Sequence, residues 1–409
     1  EILKVRRDKV NSKIMLQEAL GMRRSVLKSD HPEIADILHI LAEGYRLDNE
    51  YVKALPLYQK AMDIRRTAFS TYNGHPSIAD SMNSVGLLYY AQGNYITAET
   101  LLRQSLAMRE ELYGTDTNCG VLHASLAQSL NNLASVLHAQ GYMVEAERMY
   151  RKALDIKTTS FGETHPDVAL AMNNLALILK DVEKTHESKQ LFEEALQIQR
   201  NHFVVNHPDI AATMNNYASL MYVMKNYNNA KDMYRKSLNM KREIMGYDHP
   251  SVASTMNNLA GLLLTLQEYD DARDLYETSL GIRKRVYGEQ HILVAESLNN
   301  IGLLLYMQGL YDDASPLYEQ SLLIKEFAYN NDQASENLER EDPTTDDAAN
   351  TGSKITLHHH NVSLATSYHN LAILCHKIGK VKEAIKNYEK ALNIRRAFLC
   401  IVIILHDIH

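Results

Sequence analysis

The chain has 409 residues, with 43 Lys and Arg against 50 Asp and Glu and a formal net charge of −7. The basic residues are spread evenly, so no nucleic-acid surface is marked, and the apolar run Ala397–Leu405 falls far short of the ~20 residues a membrane helix needs. Three cysteines, Cys119, Cys375 and Cys400, lie far apart without metal-ligand spacing, which argues for a reducing, cytoplasmic setting.

A fixed period runs through the sequence. The pair Asn-Asn recurs at Asn131-Asn132, Asn173-Asn174, Asn215-Asn216, Asn257-Asn258 and Asn299-Asn300, each 42 residues after the last. Ala153-Leu154, Ala195-Leu196, Ser237-Leu238, Ser279-Leu280 and Ser321-Leu322 keep the same spacing. So do the aromatics three residues before them, Tyr150, Phe192, Tyr234, Tyr276 and Tyr318. Columns in register at such a period predict a stack of repeated helical units, each packing on its neighbours.

In chain order, residues 1–30 read as the second helix of a partial repeat, because Ala19-Leu20 precedes Ala61-Met62 by the same 42 residues. The opening lacks both a signal peptide and an initiator Met, which suggests a fragment of a longer protein. Seven repeats are expected over 31–330, beginning near His31, His75, Cys119, His165, His207, His249 and His291; the third is irregular over 115–123. Residues 331–356 are acidic and almost free of apolar side chains, and are expected to be a disordered loop. An eighth repeat follows over 357–400, then an apolar tail over 401–409, an unusual end for an array that normally needs a polar cap.

Each unit reads as two helices. Val168, Met172, Leu175, Ala176 and Leu179 share one face of the first; Leu191, Phe192, Ala195 and Leu196 lie along the second. Turns such as Gln92-Gly93-Asn94 make the pair antiparallel. Small residues hold one column in the first helix (Ala134, Ala176, Ala218, Ala260) and another in the second (Ala146, Ser188, Ala230, Ala272). Such residues let helix axes approach to the lower end of ~8–10 Å. The His-Pro pairs at 31, 75, 165, 207 and 249 place Pro at the first helical position, and the His residues read as loop and cap groups.

The pattern His-Pro-x-Val-Ala…Asn-Asn-Leu-Ala…Tyr-x-x-Ala…Leu-Tyr…Ala-Leu-x-Ile-Arg resembles the tetratricopeptide repeat, in the longer form found in kinesin light chain and nephrocystin-3-like proteins. The resemblance covers roughly residues 10–396. It implies an all-α, right-handed superhelical solenoid of about eight helix-turn-helix units. It also implies a non-enzymatic scaffold or adaptor that binds extended peptide segments of protein partners in a concave groove. Binding to kinesin heavy chain would need an N-terminal coiled coil, and residues 1–30 show no heptads. The alternative is a regulatory or sensor module of a larger signalling or nucleotide-binding protein, although no Gly-rich phosphate loop is present in this sequence.

Two columns are candidate ligand contacts. Asn is a mediocre helix former, so paired Asn in mid-helix asks for a reason: a bond between neighbouring helices, or an amide offered to a peptide backbone. The resemblance implies the second role for Asn132, Asn174, Asn216, Asn258 and Asn300. The first unit has Ile40 there and the second Ser84. A basic column follows each closing pair: Arg23, Arg65, Arg109, Lys157, Lys241, Arg283, Lys325 and Arg395, broken by Gln199. A cation near a helix C-terminus is favoured by the macrodipole. In the resembled repeats it also faces the groove and selects acidic linear motifs, which makes Lys157, Lys241, Arg283 and Lys325 candidates. Within a repeat, Asn258 would pair with Arg283 and Asn216 with Lys241. No catalytic constellation, cofactor motif or metal site is read. His358-His359-His360 would hold metal only adventitiously, and the acidic insertion could fold back over the groove as a ligand mimic.

Overall fold

The structure is a computed structural model and describes residues 2–47, 50–70, 74–113, 120–204, 206–340 and 363–406. These form seventeen helices and no strand. The chain divides into two units, residues 1–202 and 203–409.

The first unit holds α1 (Ile2–Val26) and four helix pairs. They are α2 (Pro32–Leu47) with α3 (Tyr51–Ala68), α4 (Pro76–Ala91) with α5 (Tyr95–Tyr113), α6 (Gly120–Ala139) with α7 (Met143–Phe161), and α8 (Pro166–Asp181) with α9 (Thr185–His202). The second unit repeats the plan. It pairs α10 (Pro208–Val223) with α11 (Tyr227–Met245), α12 (Pro250–Thr265) with α13 (Tyr269–Tyr287), α14 (Ile292–Met307) with α15 (Tyr311–Arg340), and α16 (363–377) with α17 (Val381–His406).

Five junctions among the described residues are built the same way. The imidazole Nδ1 of His75, His165, His207, His249 and His291 accepts the backbone N–H two residues on, at 3.1–3.2 Å. That satisfies one of the orphan donors of the new helix. Four of these rings also stack on an aromatic at or just beyond the end of the previous helix: Phe69 on His75 and Phe203 on His207 at 3.6 Å, Tyr287 on His291 at 4.5 Å and Phe161 on His165 at 4.6 Å. The cap role read from His-Pro is what these atoms do.

Within a pair the small columns are fully buried. A Cβ on Gly302 would come within 3.0 Å of the Tyr318 ring, so the larger aromatic occupies the room the glycine leaves. Where a hydroxyl replaces Ala it finds a carbonyl: Ser188 donates to Ala176 O at 2.7 Å, and Ser237, Ser279 and Ser321 to Ala211, Ala253 and Ala295 O at 2.6–2.9 Å.

First helices meet one another as well as their own partners: α4 with α6 and α6 with α8 in the first unit, α10 with α12 and α12 with α14 in the second. In each unit the first helices therefore form one continuous face of the stack.

The stretch expected to be a loop from residue 331 differs. Helix α15 continues to Arg340, through Gln333, Ala334, Glu336 and Leu338, all tolerable or good helix formers. Residues 341–362, with the rest of the insertion, Leu357 and the three-histidine run, lie outside the described residues, as does Cys119. No helix among the described residues is long and apolar enough to cross a membrane. No cluster of three His, Cys, Asp or Glu among them could hold a metal ion.

Candidate functional site

The Asn pairs form a ladder along the first helices. The second Asn of one repeat donates to the first Asn of the repeat before it. Asn132 Nδ2 reaches Asn83 Oδ1 at 2.9 Å and Asn174 reaches Asn131 at 2.8 Å. In the second unit Asn258 reaches Asn215 at 3.3 Å, Asn300 reaches Asn257 at 3.1 Å and Asn370 reaches Asn299 at 3.0 Å. Ser84 and His39 make the same step at 3.5 Å in the N-terminal repeats, so the ladder continues where the sequence lacks paired Asn. Within two pairs the first Asn also donates to the second: Asn173 to Asn174 at 3.1 Å and Asn215 to Asn216 at 3.2 Å.

An Asn amide has two donors and two acceptor sites, so one or two such bonds leave hydrogen-bonding capacity over. Its availability varies along the ladder. Asn258 is exposed, and Asn174, Asn216 and Asn300 are half-buried. Asn132 is buried and accepts from the exposed Gln128 Nε2 at 2.8 Å, so Gln128 is the polar side chain that reaches the surface there.

From Arg65 to Lys325 the basic column is buried and reaches forward to the next repeat. Lys241 Nζ donates to Thr255 Oγ1 at 2.8 Å. Arg283 donates to Leu293 O at 2.8 Å and Ser297 Oγ at 2.9 Å. Lys325 donates to Ser363 O at 3.2 Å and Ser367 Oγ at 2.8 Å. Arg65 and Arg109 engage Ser81 and Ser129 in the same manner. Lys157, facing Ala171 in that hydroxyl column, holds only Asp167 O at 3.4 Å. The cations thus bond the first turns of the following helix rather than the carbonyls at the end of their own. This brings together different couples from those expected within a repeat. Lys241 is tied to Thr255, one turn from Asn258, and Arg283 to Ser297, one turn from Asn300.

Burial without a close carboxylate pushes the Lys241 and Lys325 amines down to about 8, Lys325 being helped slightly upward by Glu296. Burial likewise lowers Lys157, against the pull of Asp167. The hydroxyl partners, Ser81, Ser129, Thr255, Ser297 and Ser367, went unread in the sequence although they form a column two residues before the first Asn position. At Gln199, which interrupts the cations, both amide atoms are buried without a hydrogen-bond partner.

The tetratricopeptide repeat pattern matches residues 11–67, 78–117, 125–201, 209–285, 251–326 and 365–398. No curated protein matches the chain. Among solved structures, the apo quorum sensor NprR of B. thuringiensis is similar over 96% of this chain and 95% of its own, at 16% identity and a TM-score of 0.56, a likeness of fold. BtubC (BKLC) of P. vanneervenii matches over 64% of this chain and 90% of its own, at 20% identity and a TM-score of 0.45. A Podosopora anserina protein with nearly identical kinesin light chain TPR-like repeats matches over 52% and 98%, at 20% identity and a TM-score of 0.40. With its repeat pattern matched over more than half its length and its helices paired as the pattern requires, the chain belongs to the tetratricopeptide repeat family.

Proposed function

We propose that this protein is a non-enzymatic scaffold whose first-helix face binds extended peptide segments of protein partners, in the manner of a kinesin light chain-like adaptor. The observation that carries the reading is the amide ladder. A polar column runs mid-helix along the first-helix face, although Asn174, Asn258 and Asn300 each need only part of their hydrogen-bonding capacity for the rung before them.

Adjacent helix axes lie ~8–10 Å apart, and an extended peptide advances ~3.3 Å per residue. One rung would therefore meet about every third ligand residue. Asn174, Asn216, Asn258 and Asn300 are the proposed backbone contacts, with Gln128 standing over Asn132. Lys157, Lys241, Arg283 and Lys325 act from beneath as a positive floor that favours acidic motifs, while their hydrogen bonds hold the repeats together. A regulatory sensor is the second reading; the likeness to NprR concerns the fold and supplies no residue to carry it.

The test is anisotropy with a library of short peptides in which acidic residues flank Trp, Tyr or Leu. Saturable binding that weakens at 0.5 M salt and is lost in Asn258→Leu supports the reading. Peptides that bind equally well to Asn258→Leu would assign the contact elsewhere.

A further inference from the structure

Helix α17 leaves uncovered the columns that the other second helices of the second unit bury or half-bury. Tyr318 is 2% exposed and its counterpart Tyr388 37%; Leu322 is 8% exposed and its counterpart Leu392 46%. Lys325 is buried against the next first helix, whereas Arg395, which holds its place, is exposed and has no partner among the described residues. Val381 and Ile385 are also exposed. At spacings of three and four these side chains form one stripe, apolar for most of its length and basic at Arg395.

At its other end the chain shows one arrangement that fits such a stripe when its cation is an arginine near an acidic helix. On α1, Leu20 is covered by Ile34, Ala35 and Leu38 of α2, and Arg23 is paired with Glu33 in the first turn of α2. Residues 30–47, which contain α2, carry Asp30, Glu33, Asp36 and Glu43 against Arg46. Around the α17 stripe, Lys382, Lys386 and Arg396 outnumber Glu389, so a second α17 set against it would meet like charges.

We infer that the Val381–Arg395 stripe of α17 docks an acidic amphipathic helix of a partner protein, seated as α2 is seated on α1. Its first turn carries a carboxylate for Arg395, and Ile, Ala and Leu follow to cover Tyr388 and Leu392. This edge is separate from the amide ladder and does not depend on it.

The experiment titrates a fluorescein-labelled peptide of residues 30–47 with the whole chain. The expected result is saturable binding, weakened at least tenfold by Leu392→Asp and by Arg395→Glu and unaffected by Asn258→Leu. Both substituted side chains are exposed, and circular dichroism checks that the variants fold. A peptide with Glu33→Lys should recover affinity for the Arg395→Glu chain. No saturable binding, or binding indifferent to Leu392→Asp, would overturn the inference. So would sedimentation showing a dimer that Leu392→Asp dissociates, which would assign the stripe to a second copy.

Discussion

Arg283 is only 5% exposed, yet it is bonded to a carbonyl and a hydroxyl, and its nearest carboxylate, on Glu296, is 3.7 Å away. Hydrogen bonds from a charged donor contribute more than neutral ones, about 1.5–3 kcal/mol each. Arg283→Ala removes two of them across a repeat boundary. It should lower stability by roughly 2–4 kcal/mol, read as a lower urea midpoint, whereas a cation that only complemented its own helix end would cost under about 1 kcal/mol. Lys241 and Lys325 give a pH signature. Their amines titrate near 8 in the fold against 10.5 when free, so the unfolded chain binds more protons between those values. Stability therefore rises with pH across that window and falls back as pH drops through 8. From pH 7 to 9 the gain should be on the order of 1 kcal/mol per lysine. It should be what remains in the difference between wild type and the Lys241→Met/Lys325→Met chain, a comparison that cancels tyrosine and cysteine titration. The basic column was legible as a column, but its direction was not. Which of two neighbouring helices a long side chain reaches depends on where the next repeat lies, and only the unread hydroxyls two residues before each Asn pointed to it.

At the scale of elements, the turn between paired helices needs one residue in the left-handed region. Gly93, Gly141, Gly309 and Gly379 supply it, but Glu183, Lys225 and Gln267 hold the same place with φ near 60°. A side chain there costs roughly 1–2 kcal/mol, partly offset because glycine loses more freedom on folding. Lys225→Gly should therefore stabilise the second unit by up to about 1 kcal/mol, seen as a higher melting temperature; a fall would mean the Lys225 side chain makes contacts that outweigh the strain. The junctions predict acid sensitivity. Burial and the charge of Arg283 lower the pKa of His291, whose neutral Nδ1 accepts the cap hydrogen bond. The unfolded chain binds the proton more readily, so this cap's contribution is present above about pH 6.5 and is lost as pH falls below it. His291→Asn, which caps without titrating in this range, should flatten the melting-temperature loss between pH 7 and 5. Caps, turns and small columns were all readable because each is local and recurs. The extension of α15 to Arg340 was not, because a polar composition marks surface more reliably than it separates a solvated helix from a loop.

For the whole molecule, a 42-residue period makes the helix pairs and their order legible without a structure. The amide ladder was legible only in part. The sequence offers two uses for each Asn, a bond between helices or a bond to a ligand. The structure shows the first at Asn258 and Asn300 while leaving hydrogen-bonding capacity over for the second. At Asn132 what is left over is out of a ligand's reach, since the side chain is buried beneath Gln128 and bonded at both amide atoms. Side-chain register between repeats decides this, and no column in a single repeat reports it. The measurement closest to the central claim is hydrogen exchange of the whole chain with and without a saturating acidic peptide from the library. The account predicts added protection on the first helices of the second unit, α10, α12 and α14, centred on the turns that carry Asn216, Asn258 and Asn300. Protection confined to the second helices α11 and α13 would place the ligand on the second-helix face and contradict it.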